Sequence, residues 1–282
     1  MTAVSSRGLA KWFGLLAMLC VLTFAALPAV AQNLLSEIKQ RGTLRVGAAQ
    51  AEPWFFKDPA TSQWSGFGVS MGQALADSLG VKLEIVEVTW GNAIASIQSN
   101  KIDVMPMLDA TPERKQAVDF PVTPLVYYGL AVLVRDDLPV KTWEDINNPK
   151  VTIAVTQGTT PEAAVKRLAP KATILSFPSN AETVAAFQSG RADACSLFHP
   201  PLIMLQQKIG RGKIVLPQPF EFGTSSIATR KGVDKPFLDW LDAQVKKNYD
   251  SNQTQKWYEE FLKSRGIDPA KVPAVRKELW AS

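Results

Sequence analysis

The feature that most narrows the fold of this chain is a repeated change of hydrophobic period, from two residues to about three and a half and back. Thr43 to Gly47 reads as a strand. Gly68 to Leu79 has apolar Val69, Met71, Leu75 and Leu79 at helical spacing and stops at Gly80. Leu83 to Val88 alternates as a strand, Asn92 to Gln98 is a short helix, and Ile102 to Met105 is again a strand. The second half repeats this order. Val151 to Val155 is a strand, a helix capped by Thr159 or Thr160 runs to Leu168, and Thr173 to Phe177 is a strand. Ser179-Asn180-Ala181-Glu182 is a capping box that opens a helix to Gln188. Asp193 to Leu197 is the next strand, and two helices, Pro236 to Tyr249 and Asn252 to Ser264, close the chain. Alternation of this kind covers mostly parallel sheets with helices on both faces, which predicts an α/β fold.

One start signal occurs twice. Thr111-Pro112-Glu113 and Thr160-Pro161-Glu162 each place a hydroxyl N-cap before Pro and an acid, and each follows a strand. In open α/β sheets the ligand crevice lies at the carboxyl ends of the strands, where helix N-termini point. Spacing alone leaves two readings open: two termini facing each other across a cleft, or a common helix opening used twice.

The first residues set the expected compartment. Arg7 and Lys11 precede an apolar run from Trp12 to Leu27, and Ala29-Val30-Ala31 supplies a small-x-small cleavage site before Gln32. That run falls short of the roughly 20 residues that span a bilayer. Export with removal of residues 1–31 is therefore expected, and the product should be periplasmic. Cys20 follows the bulky Leu19, which argues against lipid attachment. Loss of Arg7 and Lys11 takes the net charge from +5 to +3, and charges of both signs are interspersed, so no nucleic-acid partner is expected. Cys195, in the apolar run Ala194 to Leu197, then stands alone and reads as a buried structural thiol. A single histidine, His199, speaks against a multi-histidine metal site and a Cys/His nucleophile pair.

Several segments occur in a telling order: Gly42-Thr43-Leu44-Arg45-Val46-Gly47, Trp64-Ser65-Gly66-Phe67-Gly68-Val69-Ser70-Met71, and Asn100-Lys101-Ile102-Asp103. Thr111-Pro112-Glu113-Arg114, Val118-Asp119-Phe120, Gln157-Gly158-Thr159-Thr160 and Gly190-Arg191-Ala192-Asp193-Ala194 continue the series. On these residues, from Leu35 to Leu262, the chain resembles the periplasmic solute-binding proteins of ABC transporters, in the polar amino-acid-binding family (family 3) with the type II periplasmic binding fold. The second segment lacks both acids of the family's pattern. The resemblance implies two lobes, residues 33–130 plus 224–282 and residues 131–223, joined by crossovers near Tyr128 to Ala131 and Phe222 to Ser226. It implies hinge closure on a small carboxylate ligand and delivery to a permease in the inner membrane. A monomer that binds rather than catalyses, with no cofactor and no metal, is expected.

The same resemblance assigns the site residues. Arg114 would grip the ligand carboxylate with its planar fork, and Thr159 and Thr160 would reach it from lobe 2. Trp90 and Trp54 would supply apolar walls. Two departures bear on the ligand. Asp109 stands where the family has Ser or Thr, and Phe198 stands where amino-acid binders place the acid that receives the α-ammonium. Asp109 or Glu52 could replace that acid, or Phe198 and Trp90 could hold an alkylated ammonium by cation–π contact. An amino acid or a derivative is the expected ligand, with a plain organic acid or an amine as the alternative. A periplasmic dehydratase or lyase would need an acid or base, for which Asp109, Glu52 and His199 are the candidates. His199, before Pro200, is expected at a helix N-cap near the cleft.

Overall fold

In the computed structural model, which describes residues 33–233 and 235–280, the predicted alternation becomes a chain of strands and helices. The expected signal segment, residues 1–31, lies outside the described residues. Helix α1 (Leu34–Arg41) leads into β1 (Thr43–Ala48). A short hairpin, β2 (Phe56–Lys57) and β3 (Trp64–Ser65), precedes α2 (Phe67–Leu79), β4 (Lys82–Glu87), α3 (Ala93–Gln98) and β5 (Val104–Asp109). Then come α4 (Pro112–Ala117), β6 (Val118–Asp119), the long β7 (Val126–Val134) and α5 (Trp143–Ile146). β8 (Thr152–Thr156), α6 (Thr160–Leu168), β9 (Thr173–Phe177), α7 (Asn180–Gln188) and β10 (Ala194–Phe198) repeat the strand–helix theme. α8 (His199–Ile209), β11 (Lys213–Val215), a second long strand β12 (Phe222–Arg230), and helices α9 (Lys235–Asp250) and α10 (Gln253–Ser264) complete the order.

The strand predicted at Ile102 to Met105 is displaced: β5 starts at Val104 and runs on to Asp109. All six of its residues are buried, so no period-two signal marks its end. Asp103, just before it, is buried instead as an acceptor. It takes the Arg45 backbone N–H at 2.8 Å and pairs with the Arg45 guanidinium at 2.7 Å.

The strands run in the order β4-β1-β5-β12-β7-β10-β8-β9. β1 pairs in parallel with β4 and β5, and β8 pairs in parallel with β9 and β10. The two long strands join these halves. Val126 to Gly129 of β7 pair with β12, while Leu130 to Val134 pair with β10. In β12, Phe222 to Ser225 face β7 and Ser225 to Thr229 face β5. Each changes partner where a crossover was expected.

Burial follows the same division into two lobes. Val46, Phe67, Met71, Leu75, Phe237 and Tyr258 belong to one core. Along β7, Leu130, Val132 and Val134 enter a second core with Ile153 and Val165. The alternate residues Ala131 and Leu133 enter a third, with Cys195 and Leu202, on the other face. Burial pushes the Cys195 thiol up to about 12, as befits an inert core residue.

Candidate functional site

The site forms where β5, α4 and the start of α6 converge between the lobes. Near its end β5 carries a bulge: Leu108 pairs with Ser226 and Pro106 with Ile227, leaving Met107 unmatched at φ 67°. An extra residue of this kind re-aims the side chains beyond it, and Asp109 lines a small cavity between the lobes. Thr111 caps α4, its hydroxyl accepting the Arg114 backbone N–H at 3.3 Å. That cap sets the Arg114 side chain against the other lobe. One guanidinium nitrogen, Nη1, donates to the Asp109 carbonyl at 3.1 Å, and Nη2 donates to the Gly158 carbonyl at 2.9 Å. Nη1 also lies 3.9 Å from the Asp109 carboxylate.

Gly158 sits at φ 76°, and a Cβ there would come within 2.7 Å of the Gly91 backbone. Both conditions call for glycine, and together they let the loop before α6 approach the loop around Trp90. Thr159 caps α6, accepting the Glu162 N–H at 3.3 Å and donating to the Thr156 carbonyl at 2.7 Å. The Thr160 hydroxyl crosses to the other lobe and donates to Asp109 Oδ2; the Tyr128 hydroxyl donates to Asp109 Oδ1. Burial pushes the Asp109 carboxyl up to about 6, against the opposing pull of Arg114 and the Tyr128 hydrogen bond. Burial and the adjacent Asp109 raise the Tyr128 phenol well above its usual value.

Aromatic rings make the walls. Trp54 is buried, stacked on Tyr258 with centroids 6.1 Å apart and 6.0 Å from Tyr128. Trp90 lines the same cavity from a short 3-10 turn. Phe198 lies 3.9 Å, centroid to centroid, from Tyr128. A Cβ on Gly223 would come within 2.9 Å of the Phe198 ring, so Phe198 is wedged between the two crossover strands as well as facing the cavity.

Seven of the sequence-predicted residues therefore meet in one place: Trp54, Trp90, Asp109, Arg114, Thr159, Thr160 and Phe198 all line this cavity. Glu52 does not. Its carboxylate, 10% exposed, pairs with Lys208 of α8 and, at 3.0 Å, with Arg265 Nε. The Ala51–Phe55 bridge folds this segment back on itself, and Trp54 lines the cavity while Glu52 meets the C-terminal end of α8. Glu52 is thus withdrawn as a replacement for the missing lobe 2 acid.

His199 also departs from expectation. Phe198 occupies the N-cap, and His199 is the first residue of α8. It is buried, lines a separate pocket on the other side of the crossovers, and accepts the Gly129 N–H on Nδ1 at 3.0 Å. Burial lowers its pKa to about 4, so it stays neutral across the physiological range.

Residues that the sequence reading did not assign also line the cavity. Tyr128 was recognised as part of a crossover but not as a partner of Asp109. Asn180, at the start of α7, accepts the buried Thr156 hydroxyl at 2.8 Å and borders the cavity. Neither sits in a motif that announces it. Chemically, the cavity offers a partly buried guanidinium, a carboxyl that titrates near neutrality and the threonine hydroxyls, with aromatic rings on its walls. That combination suits a small solute carrying both signs of charge.

Comparison with known proteins agrees with this architecture. The family model of bacterial extracellular solute-binding proteins, family 3, matches residues 44–264. The L-cystine-binding protein TcyJ of Escherichia coli is 27% identical over 233 residues, 80% of this chain and 86% of that protein. Cyclohexadienyl dehydratase of Pseudomonas aeruginosa is 27% identical over 259 residues, 86% of this chain and 92% of that enzyme. Among solved structures, the ancestral amino acid-binding protein AncCDT-1, a precursor of cyclohexadienyl dehydratase, is 38% identical with a TM-score of 0.73, covering 80% of this chain and 98% of its own. The fold is that of the type II periplasmic binding proteins, and the chain belongs to the bacterial extracellular solute-binding proteins of family 3.

Proposed function

We propose that this protein, exported and freed of residues 1–31, binds a small zwitterion between its lobes and delivers it to the permease of an ABC transporter. The ligand is an amino acid or a close derivative. One observation carries the reading: Arg114 and Asp109 lie 3.9 Å apart in a cavity that residues of both lobes line, Trp54, Trp90, Tyr128 and Phe198 among them. A partly buried guanidinium with a planar fork suits the ligand's carboxylate. Asp109 receives the ammonium, in place of the lobe 2 acid whose position Phe198 occupies. Unpaired burial of that ammonium would cost several kcal/mol. Lobe boundaries at residues 130/131 and 223/224 lie within one or two residues of the changes of partner, between Gly129 and Leu130 in β7 and at Ser225 in β12. Among the described residues no helix is long and apolar enough to cross a membrane. Similarity to the L-cystine-binding protein and to the ancestral amino acid-binding protein supports the ligand class.

A second reading has its own support. A buried carboxyl near pH 6, hydrogen-bonded to Tyr128, has the character of a general acid, and a dehydratase is among the relatives. One experiment separates the two. The mature protein is screened by thermal shift against amino acids, opines, betaines and organic acids, and ligand recovered after denaturation is identified by mass spectrometry. A thousandfold excess over Kd stabilises by about 4 kcal/mol. Recovery of the intact compound supports binding and delivery; a dehydrated or cleaved product establishes the enzyme instead.

A further inference from the structure

The pocket that His199 lines shares no residue with the inner cavity of Arg114 and Asp109. Consecutive residues face the two: Phe198 lines the inner cavity, and His199 lines the pocket behind the crossovers. Gly129 of β7, Phe220 before β12, Glu259 of α10 and the C-terminal Pro273 and Trp280 complete its walls.

The imidazole lacks a partner. His199 is 2% exposed, and its Nδ1 accepts the Gly129 N–H at 3.0 Å. Burial keeps the ring neutral, so the proton sits on Nε2, which can only donate. That buried donor makes no hydrogen bond, and the Pro273 carbonyl lies near it without closing one. Nearly all buried donors in folded proteins are paired, because an unmade bond costs stability. A donor held in this place calls for an acceptor that the chain does not supply.

The walls say what kind of molecule brings it. Phe220 and Trp280 stand edge to face with centroids 6.1 Å apart. The Trp280 indole is fixed by donating to the Ala274 carbonyl at 2.8 Å. Gly129 makes room for this face, since a Cβ there would come within 2.7 Å of Leu216 and 2.9 Å of Phe220. Phe220 and Leu279, 40% and 53% exposed, leave apolar surface uncovered beside the pocket. Glu259 is the one charged group among the lining residues, and it accepts from Gln255 Nε2 at 2.9 Å. A carboxylate on the wall disfavours an anion, and the imidazole donor disfavours an ammonium. What remains is a neutral aromatic group with an oxygen that can accept.

We propose that this pocket is a second binding site, for a small neutral hydroxyaromatic compound. Its hydroxyl accepts from His199 Nε2 and donates to the Pro273 carbonyl, while its ring lies against Phe220 and Trp280. The site is independent of the ligand held by Arg114 and Asp109.

The test is fluorine NMR titration of the mature protein at neutral pH with three probes. These are 4-fluorophenol; 4-fluoroanisole, whose oxygen accepts but cannot donate; and 4-fluorobenzoate, an anion. The phenol should bind saturably and at least about tenfold tighter than either analogue, because a site built around a hydroxyl rejects compounds without one. His199→Asn keeps an acceptor for the Gly129 N–H and removes the Nε2 donor, and should weaken the phenol about tenfold. Phe220→Ala, at a half-exposed position, should weaken it by a similar factor of about ten through loss of ring contact. Circular dichroism checks that each variant folds. Equal affinity for the three probes, or no saturable binding of the phenol, overturns the proposal. Unchanged affinity for the phenol in either folded variant places it elsewhere in the protein and overturns the proposal as well.

Discussion

The two lobes open their facing helices with the same tripeptide, Thr-Pro-Glu, and fold it in different frames. In α4, Thr111 is the cap, Pro112 the first helical residue, and Arg114 the third. In α6 the cap moves back to Thr159, so that Thr160 is the first helical residue and Pro161 the second. The cause lies upstream. Ala110 precedes Thr111 and offers no hydroxyl, whereas Thr159 offers one to the Glu162 N–H, and Glu162 Oε2 in turn accepts the Gly158 N–H at 2.7 Å. The frame decides what each threonine does. Thr111 is occupied by its own helix, while Thr160 is released to reach Asp109 across the cleft. The third helical residue differs too. In α4 it is an arginine that faces the cavity. In α6 it is an acid, held by Gly158, Lys166 and Ser176 within its own lobe. Charge at the inner site comes from one lobe, and the threonine hydroxyls come from the other.

The largest test of that asymmetry is Arg114→Ala, which should weaken ligand at least a hundredfold, about 3 kcal/mol, with no comparable loss when Thr160 is truncated. Isothermal titration of both variants measures the ratio.

Asp109→Asn comes next and is read by pH. Burial lifts Asp109 from its ordinary 3.8 to about 6. Between those values the unfolded chain releases its proton while the folded chain keeps it. The stability this group confers is therefore complete below about pH 4 and lost as pH rises through about 6, a fall of about 3 kcal/mol. Urea denaturation at pH 4 and pH 7 should show that fall in the parent protein and not in Asp109→Asn. An identical pH dependence in the two would mean that Asp109 is solvated.

The capping frames predict a smaller difference. Thr111→Ala and Thr159→Ala should each cost about 1 kcal/mol and lower Tm by about 2–4 °C. Thr160→Ala should leave Tm nearly unchanged and act on ligand affinity. Equal losses at all three positions would refute the one-residue difference in frame. The smallest effect belongs to Glu52→Gln. Glu52 joins Lys208 of one lobe to Arg265 of the other, at a distance from the cavity. Breaking this partly exposed contact should speed ligand release by no more than about fivefold, under 1 kcal/mol. In stopped-flow measurements the effect should shrink as salt rises.

Much of this was legible in the chain because its causes are local. Helix and strand periods are set by neighbours within a turn, which is why Thr173–Phe177 and Asn180–Gln188 match their predicted bounds. The end of β5 was not legible, because a strand buried on both faces has no alternation to read. The cavity residues were named from motifs, and the motif reading brought Arg114, Asp109 and the threonine pair into view together. It could not tell Glu52 from Asp109. Both are acids beside the expected cleft, and only the fold-back at Ala51–Phe55 turns Glu52 toward α8.

The sequence by itself determined the order of elements, the two helix starts, and the kinds of charge at the cleft, since each depends on residues a few positions apart. Tertiary structure decided the rest. The Tyr128 hydroxyl on Asp109, the raised carboxyl and the neutral His199 depend on where the lobes and crossovers bring distant residues. Proton affinity and pairing respond to burial and to distances of a few ångströms. Those distances exist only once β7 and β12 have crossed between the lobes.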